Sequence, residues 1–139
     1  MREGIINESK EKTMAIPRPG NPVRGSQTGT PIMAVFDLLG RRWAMGIIWH
    51  LSHGPATFRA LQGYCESISP SILNKRLSDL REAKLIERSL DGYQLTAMGE
   101  ELYSLLIPFG EWSITWAKHI APEGAVRWEN CRTDRDRQT

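Results

Sequence analysis

The chain has 139 residues, 40% of them hydrophobic, and its 18 basic and 16 acidic side chains give a formal net charge of +2. This length predicts one small globular domain with tails, able to bury a core without a metal ion or disulfides. No apolar run approaches the ~20 residues of a membrane span, residues 1–20 lack a signal-peptide core, and two cysteines make no disulfide framework. We therefore exclude membrane and disulfide-rich secreted classes and expect a cytoplasmic protein.

The charge is unevenly distributed along the chain. Residues 1–30 carry +2, whereas residues 31–120 and 121–139 each sum to zero. Residues 1–29 contain prolines and glycines without apolar periodicity, and residues 121–139 alternate charges. We predict a flexible N-terminal arm over 1–29, a domain over 30–120 and a mobile, charged tail over 121–139.

Two apolar helices are predicted at the start of the domain. Thr30 and Pro31 have the residue types of a helix N-cap and a first helical position. After Gly40, the sequence Arg41-Arg42-Trp43 opens a second helix, which His53-Gly54-Pro55 ends.

A pair of helices follows, and the second member has a polar outer face. Thr57 caps the short first helix, and Ser69-Pro70 begins the second, which ends near Ala83-Lys84. The predicted buried face of the second helix consists of Ile72, Leu73, Leu77 and Leu80. Its outer face carries Ser71, Lys75 and Ser78, with Asn74 on the flank.

Two short strands and a long helix complete the domain. Asp91-Gly92 lies between apolar runs and favours a type I′ hairpin turn. Thr96 caps a last helix that extends to about Ile120, and Pro108 should kink or split it.

This order of elements predicts a mainly helical winged helix-turn-helix, with a three-helix core, a small β-hairpin as the wing and a long dimerising C-terminal helix. In that fold the second helix of the pair enters the major groove of DNA. Its small polar side chains can contact base edges, and four basic side chains around it face only two acidic ones. The outer face alone would be typical of any surface helix. The hairpin that follows it favours DNA recognition.

Several motifs, in the same order, resemble the HxlR-type winged-helix transcriptional regulators of the MarR-like group. They are Leu38-Leu39-Gly40-Arg41-Arg42-Trp43, Phe58-Arg59-Ala60-Leu61, Ile68-Ser69-Pro70-Ser71-Ile72-Leu73, Arg76-Leu77, Leu80-Arg81, Gln94-Leu95-Thr96 and Gly99. The resemblance covers about residues 30–120 and implies a homodimeric bacterial DNA-binding regulator, which we expect to be a repressor. Two features depart from the family. Thr30-Pro31 stands where many members carry a redox-sensing Cys-Pro, and the wing is shorter than usual.

Candidate site residues follow from the helix face and the resemblance together. The candidate DNA contacts are Arg41, Arg42, Thr57, Arg59, Ser69, Ser71, Asn74, Lys75, Ser78, Arg88, Asp91 and Gly92. The candidate dimer contacts lie on the first and last helices and are Ile32, Val35, Phe36, Leu105, Phe109, Trp112 and Trp116.

The expected partners are a double-stranded DNA operator, a second copy of the chain and a small apolar ligand between the tryptophans of the last helix. No catalytic signature is present, so we expect no enzyme, and we expect no cofactor. His50 and His53 lie on one helical face without a third metal ligand, and Cys65 is interpreted as a small buried hydrophobe. The competing interpretation is a winged-helix module that binds proteins instead of DNA, and the neutral charge of the domain favours it.

Overall fold

The computed structural model describes residues 16–121, and within them five helices and two strands follow the predicted order. They are α1 (Pro31–Leu39), α2 (Ala44–Leu51), α3 (Phe58–Tyr64), α4 (Pro70–Glu82), β1 (Ile86–Ser89), β2 (Gly92–Leu95) and α5 (Ala97–Ile120). Mainly helical structure with one antiparallel hairpin confirms the predicted fold class.

Helix α2 forms the centre of the core. Its Ile47 and Ile48 are fully buried, and the helix packs against α1, α3, α5 and β2. The stripe of Leu73, Leu77 and Leu80 on α4 is buried in the same cluster. Because burial of a leucine side chain contributes about 1.5–3 kcal/mol, this stripe determines which face of α4 points to solvent.

Three of the four predicted helix caps are confirmed. The hydroxyls of Thr57, Ser69 and Thr96 accept hydrogen bonds from the third backbone N–H that follows each of them. Thr30 occupies the N-cap position of α1, but its side chain makes no capping bond, and its Oγ1 lies 2.7 Å from Oγ1 of Thr28 instead.

The boundaries of α2 and α5 differ from the prediction. Helix α2 begins at Ala44 and not at Arg41, because Trp43 has a left-handed φ of 74° that helical backbone cannot include. Helix α5 is not split at Pro108, which lies inside 24 continuous helical residues. A proline removes one internal hydrogen bond, and the remaining bonds hold the helix together.

The predicted type I′ turn of the hairpin is wrong. Ser89 pairs with Gly92, so Leu90 and Asp91 form the loop, and neither has the positive φ that a type I′ turn requires. Gly92 has a φ of 127°, and a Cβ there would lie 2.2 Å from the carbonyl oxygen of Ala56. Close packing against Ala56 therefore determines the place of this glycine.

An isolated β-bridge between Ala56 and Tyr93 ties the wing to the rest of the domain. The backbone N–H of Ala56 donates to the Tyr93 carbonyl at 2.9 Å, and the N–H of Tyr93 donates to the Ala56 carbonyl at 2.8 Å. These two bonds join the hairpin to the segment between α2 and α3.

The end of α4 is a Schellman motif. The N–H of Leu85 donates to the Leu80 carbonyl at 3.0 Å, and the N–H of Lys84 donates to the Arg81 carbonyl at 2.9 Å. Lys84 adopts the left-handed conformation that this motif needs, with φ 64°. The chain thus leaves α4 in a fixed direction towards β1.

Residues 16–29, which the sequence suggested were part of a flexible arm, contact the domain. Ile16 is buried, and its N–H donates to a carboxylate oxygen of Glu82 at 3.3 Å. The N–H of Arg24 donates to the carboxylate of Asp37 on α1 at 3.1 Å. Sequence periodicity does not reveal such contacts, because turns and not regular elements make them. The predictions for residues 1–15 and 122–139 lie outside the described residues.

Candidate nucleic-acid interface

The turn between α3 and α4 is fixed by its own hydrogen bonds. Glu66 and Ser67 both have left-handed backbone, with φ of 55° and 61°, which reverses the chain. The N–H of Ser67 donates to the Gln62 carbonyl at 2.9 Å, and Nε2 of Gln62 donates to the Ile68 carbonyl at 2.9 Å. The angle between the two helices therefore depends on local bonds as well as on the core.

The outer face of α4 has the composition that the sequence predicted. Ser69 and Ser71 lie at the N-terminal end with their Oγ atoms 3.5 Å apart, and Asn74 follows one turn later. The exposed polar side chains on this helix include Ser69, Ser71, Asn74 and Ser78. The structure thus brings these four candidate DNA contacts together on one surface.

Ile72 was expected in the core, and the structure corrects this, since its side chain is 45% exposed. Leu73 and Leu77 define the buried stripe, and the residue before Leu73 is rotated by about 100° around the helix axis. Ile72 therefore stands beside Ser71 on the outer face. An aliphatic side chain there suits contact with the methyl group of thymine.

Asp79 is the centre of a buried ion-pair network. Its side chain is 4% exposed, and its Oδ2 lies 3.0 Å from Nη1 of Arg41 and 3.4 Å from Nη1 of Arg76. Nζ of Lys75 lies 3.8 Å from Oδ1, and Nε of Arg76 donates to the Arg42 carbonyl at 2.7 Å. This network joins α4 to the connection between α1 and α2.

The network changes the interpretation of two candidate DNA contacts. The Arg41 side chain is only 19% exposed and is held by Asp79, so its geometry is that of a structural cation. Lys75 is 39% exposed and lies at the edge of the same network. In the sequence, Asp79 is only one of two acidic side chains near α4, because nothing local indicates a partner 38 residues away.

Exposed arginines surround α4. The guanidinium of Arg42 lies 5.2 Å from the centre of the Trp43 ring, and that of Arg88 lies 5.5 Å from the Tyr93 ring. Arg59 on α3 is also exposed. Arg81, which was not among the predicted contacts, shares a groove of about 500 Å³ with Arg88 between α4 and β1. Two glutamates line the same groove and balance the two arginines.

The tip of the wing is poorly suited to phosphate contact. Asp91 is exposed and carries the same sign of charge as a phosphate. Gly92 packs against the backbone of Ala56 and Thr57, which explains its presence without a ligand. Leu90 is fully exposed beside them. Arg88 is therefore the only predicted wing contact that carries a positive charge.

Cys65 is buried at the end of α3. Burial, and then the nearby charge of Glu66, raise the pKa of its thiol. The thiol is therefore protonated at neutral pH and unreactive. Within residues 16–121, no group of three or more His, Cys, Asp or Glu side chains is placed to hold a metal ion. The same part of the chain contains no helix long and apolar enough to cross a membrane.

The candidate dimer residues form an exposed apolar surface on α1 and α5. The Trp112 and Trp116 rings stack 6.1 Å apart at 15°, and Phe109 lies 6.1 Å from Trp112. Six of the seven are exposed by about half or more, namely Ile32, Phe36, Leu105, Phe109, Trp112 and Trp116. Val35 is partly buried and lines a cavity with Leu105.

Comparison with known proteins gives consistent matches. The HxlR-like helix-turn-helix family model matches residues 38–121. The HTH-type transcriptional regulator YodB of Bacillus subtilis (strain 168) is 30% identical over 87 residues, which cover 58% of this chain and 78% of YodB. The uncharacterized HTH-type transcriptional regulator MJ0925 of Methanocaldococcus jannaschii is 23% identical over 95 residues, which cover 66% of this chain and 90% of that protein.

Solved structures agree with the sequence matches. Quinone-bound YodB from B. subtilis has a TM-score of 0.57 at 31% identity, covering 60% of this chain and 96% of that chain. Reduced YodB has a TM-score of 0.52 at 30% identity, covering 68% and 96%. The named relatives are HTH-type transcriptional regulators. The family match covers more than half of the chain, so this protein belongs to the HxlR-like helix-turn-helix family.

Proposed function

We propose that this protein is a cytoplasmic, sequence-specific DNA-binding transcriptional repressor that acts as a homodimer. The observation that carries the proposal is the outer face of α4, where Ser71, Ile72 and Asn74 are exposed while the opposite leucine stripe is buried. A 13-residue helix is about 20 Å long, and the major groove of B-DNA admits an α-helix. The repressor role rests on the family resemblance.

The contacts divide by chemistry into base contacts and backbone contacts. Asn74 offers both a donor and an acceptor, which matches adenine in the major groove, and Ile72 suits a thymine methyl. Ser69 lies at the N-terminal end of α4, where the first backbone N–H groups favour a phosphate. Arg42 and Arg59 are exposed cations that suit further phosphates.

The first experiment measures binding to the DNA upstream of the protein's own gene and to random DNA of equal length. Asn74→Ala should lose about 1–3 kcal/mol on the operator and much less on random DNA. The matched control is Asn21→Ala, which changes an exposed asparagine outside α4 and should leave both affinities unchanged. Equal losses on both DNAs for Asn74→Ala would show that Asn74 does not read a base.

A second experiment separates backbone contacts from base contacts. Arg59→Ala should weaken all DNA sequences similarly and make the slope of log K against log salt shallower by about 1. Arg24→Ala removes the same charge from the arm and should change the slope less. If the dimer neutralises about six to eight phosphates, the wild-type slope is roughly −5 to −7.

The exposed apolar surface of α1 and α5 supports the homodimer. Large apolar patches on a protein surface commonly mark interfaces. A two-fold dimer would place one α4 helix in each of two major grooves, with half-sites about ten base pairs apart. The test is sedimentation of Trp112→Gln, which should be monomeric where the wild type is dimeric, while Leu90→Gln on the wing stays dimeric. Unchanged sedimentation of Trp112→Gln would place the interface elsewhere.

The second candidate function is a winged-helix module that binds another protein. The zero net charge of residues 31–120 and the balanced charges of the groove beside Arg88 favour it. A salt titration separates the two functions. No salt-dependent binding to any duplex at low ionic strength would favour the protein-binding module and contradict the DNA-binding proposal.

A further inference from the structure

An apolar cavity of about 540 Å³ lies between the C-terminal half of α1 and the N-terminal half of α5. Aliphatic side chains line most of it, among them Val35, Leu38 and Leu102. Residues 16–19 form one of its walls. Neither Trp112 nor Trp116, between which the sequence predicted a possible ligand, is among the residues that line this cavity.

The wall formed by residues 16–19 is anchored to the end of α4. Ile16 is 9% exposed, and its N–H bonds to Glu82 at 3.3 Å. Nη2 of Arg18 lies 3.6 Å from the other carboxylate oxygen of the same glutamate. These residues lie before the segment that matches the family, which begins at residue 38.

The charged side chains around the cavity balance one another. Arg18 and Lys84 are basic, Glu82 and Glu101 are acidic, and Arg18 already pairs with Glu82. A charged ligand would upset this balance and would lose hydration in a lining that is mostly aliphatic. A neutral, apolar molecule meets no such penalty.

We propose that this cavity binds a neutral, mainly apolar small molecule. Its volume lies within the roughly 300–1,000 Å³ of typical small-molecule sites, which are also mostly apolar. Binding would require residues 16–19 to stay in place as the wall. Since Glu82 is the last residue of α4, an occupied cavity also stabilises the end of that helix. This regulatory consequence rests on the proposed DNA-binding function, whereas the binding itself does not.

The test is a fluorescence titration of the full chain without DNA, using two matched dyes. N-phenyl-1-naphthylamine is neutral, and 8-anilinonaphthalene-1-sulfonate has the same rings with an added sulfonate. The neutral dye should bind saturably with one site per chain. The sulfonate should bind about tenfold more weakly or worse, because it adds a negative charge to a mostly aliphatic lining whose charges already balance.

Two variants locate the site. Ile16→Asp places a carboxylate in the wall and should weaken the neutral dye by about tenfold or more. Leu102→Phe adds volume without charge and should weaken it as well, so the test does not depend on one variant remaining folded. Leu90→Asp makes the same kind of change on the exposed tip of the wing and should bind as the wild type does.

Three results would overturn the proposal. Equal dye binding by the wild type, Ile16→Asp and Leu102→Phe would place the dye on the exposed aromatic surface of α5. Equal or tighter binding of the sulfonate would contradict a neutral ligand. If dye binding is lost at protein concentrations at which the chain dimerises, a second copy of the chain occupies the cavity. That copy would contact Val35 and Leu105, which line the cavity and are candidate dimer residues. Failure of DNA binding would leave all these titrations unchanged.

Discussion

Replacement of Asp79 by asparagine tests how helix α4 is held in place. The substitution preserves the shape of the side chain and one acceptor oxygen, but it removes the negative charge that Arg41 and Arg76 share. Both guanidinium groups are less than one-fifth exposed, so water cannot fully compensate them. Asp79→Asn therefore removes the negative charge that lies between two largely buried cations.

The expected loss is large for a single charge. At 3.0 Å and an effective dielectric constant of about 20, one ion pair is worth roughly 5 kcal/mol before desolvation is subtracted. Removal of one partner from a buried pair typically costs about 3–5 kcal/mol. Because asparagine keeps an acceptor, we expect about 3 kcal/mol. That loss lowers the melting temperature by roughly 10 °C or more in a domain of this size.

Urea unfolding followed by tryptophan fluorescence measures this loss. Glu82→Gln is the matched control, since it removes a negative charge from the same helix, where the side chain is 43% exposed and forms one ion pair at 3.6 Å. An exposed pair of this kind contributes about 0–1 kcal/mol. If Asp79→Asn destabilises the protein no more than Glu82→Gln does, the buried network does not hold α4.

Three further substitutions or treatments test other parts of the fold. Gly99→Ala should destabilise the protein by about 1–3 kcal/mol or more, because the added Cβ would lie 2.1 Å from a backbone carbonyl oxygen. In the control variant Gly63→Ala on α3, the added Cβ meets nothing within 4 Å, and the substitution should stabilise the protein by about 0.5–1 kcal/mol. The free energy of unfolding should be roughly 1 kcal/mol higher for Lys84→Gly than for Lys84→Ala, since only glycine adopts the left-handed backbone without strain. Equal free energies of unfolding for the two variants in urea would contradict this. With Cys131→Ser in place, Cys65 should react with iodoacetamide far more slowly in the folded chain than in urea, because burial raises the pKa of its thiol. The folded state holds the Cys65 proton more tightly than the unfolded state does, so the protonated thiol contributes to stability. This contribution is complete below the unfolded pKa of about 8.5 and is lost as the pH rises through the folded pKa. A free energy of unfolding that does not change at alkaline pH would refute the raised pKa.

Local features of the fold could be predicted from the sequence. The Ser69-Pro70 start of α4 and its leucine stripe depend on interactions between residues at most seven positions apart. Cap chemistry and helical periodicity act over that range, so short sequence windows contain the necessary information. The same reasoning identified the exposed serines and Asn74.

Contacts between distant residues could not be predicted in this way. Asp79 meets Arg41 across 38 positions, and Ile16 meets Glu82 across 66. The hairpin shows the same limit, since Asp91-Gly92 favours a type I′ turn in isolation. In the folded protein the close approach of Ala56 determines the position of Gly92 and shifts the loop by one residue.

The two ends of α4 are held by different means, and this separates recognition from stability along one helix. The N-terminal half presents Ser71 and Asn74 to solvent, and no hydrogen bond or ion pair described here joins their side chains to the core. The C-terminal half carries Asp79, with its buried network, and Glu82, which anchors residues 16–19. Substitutions of Ser71 and Asn74 should therefore alter DNA affinity at constant stability, whereas substitution of Asp79 alters stability first. By the two proposals together, a ligand in the cavity would act on the second half of α4, and so would change DNA binding by holding the helix and not by contacting the proposed base-contacting surface.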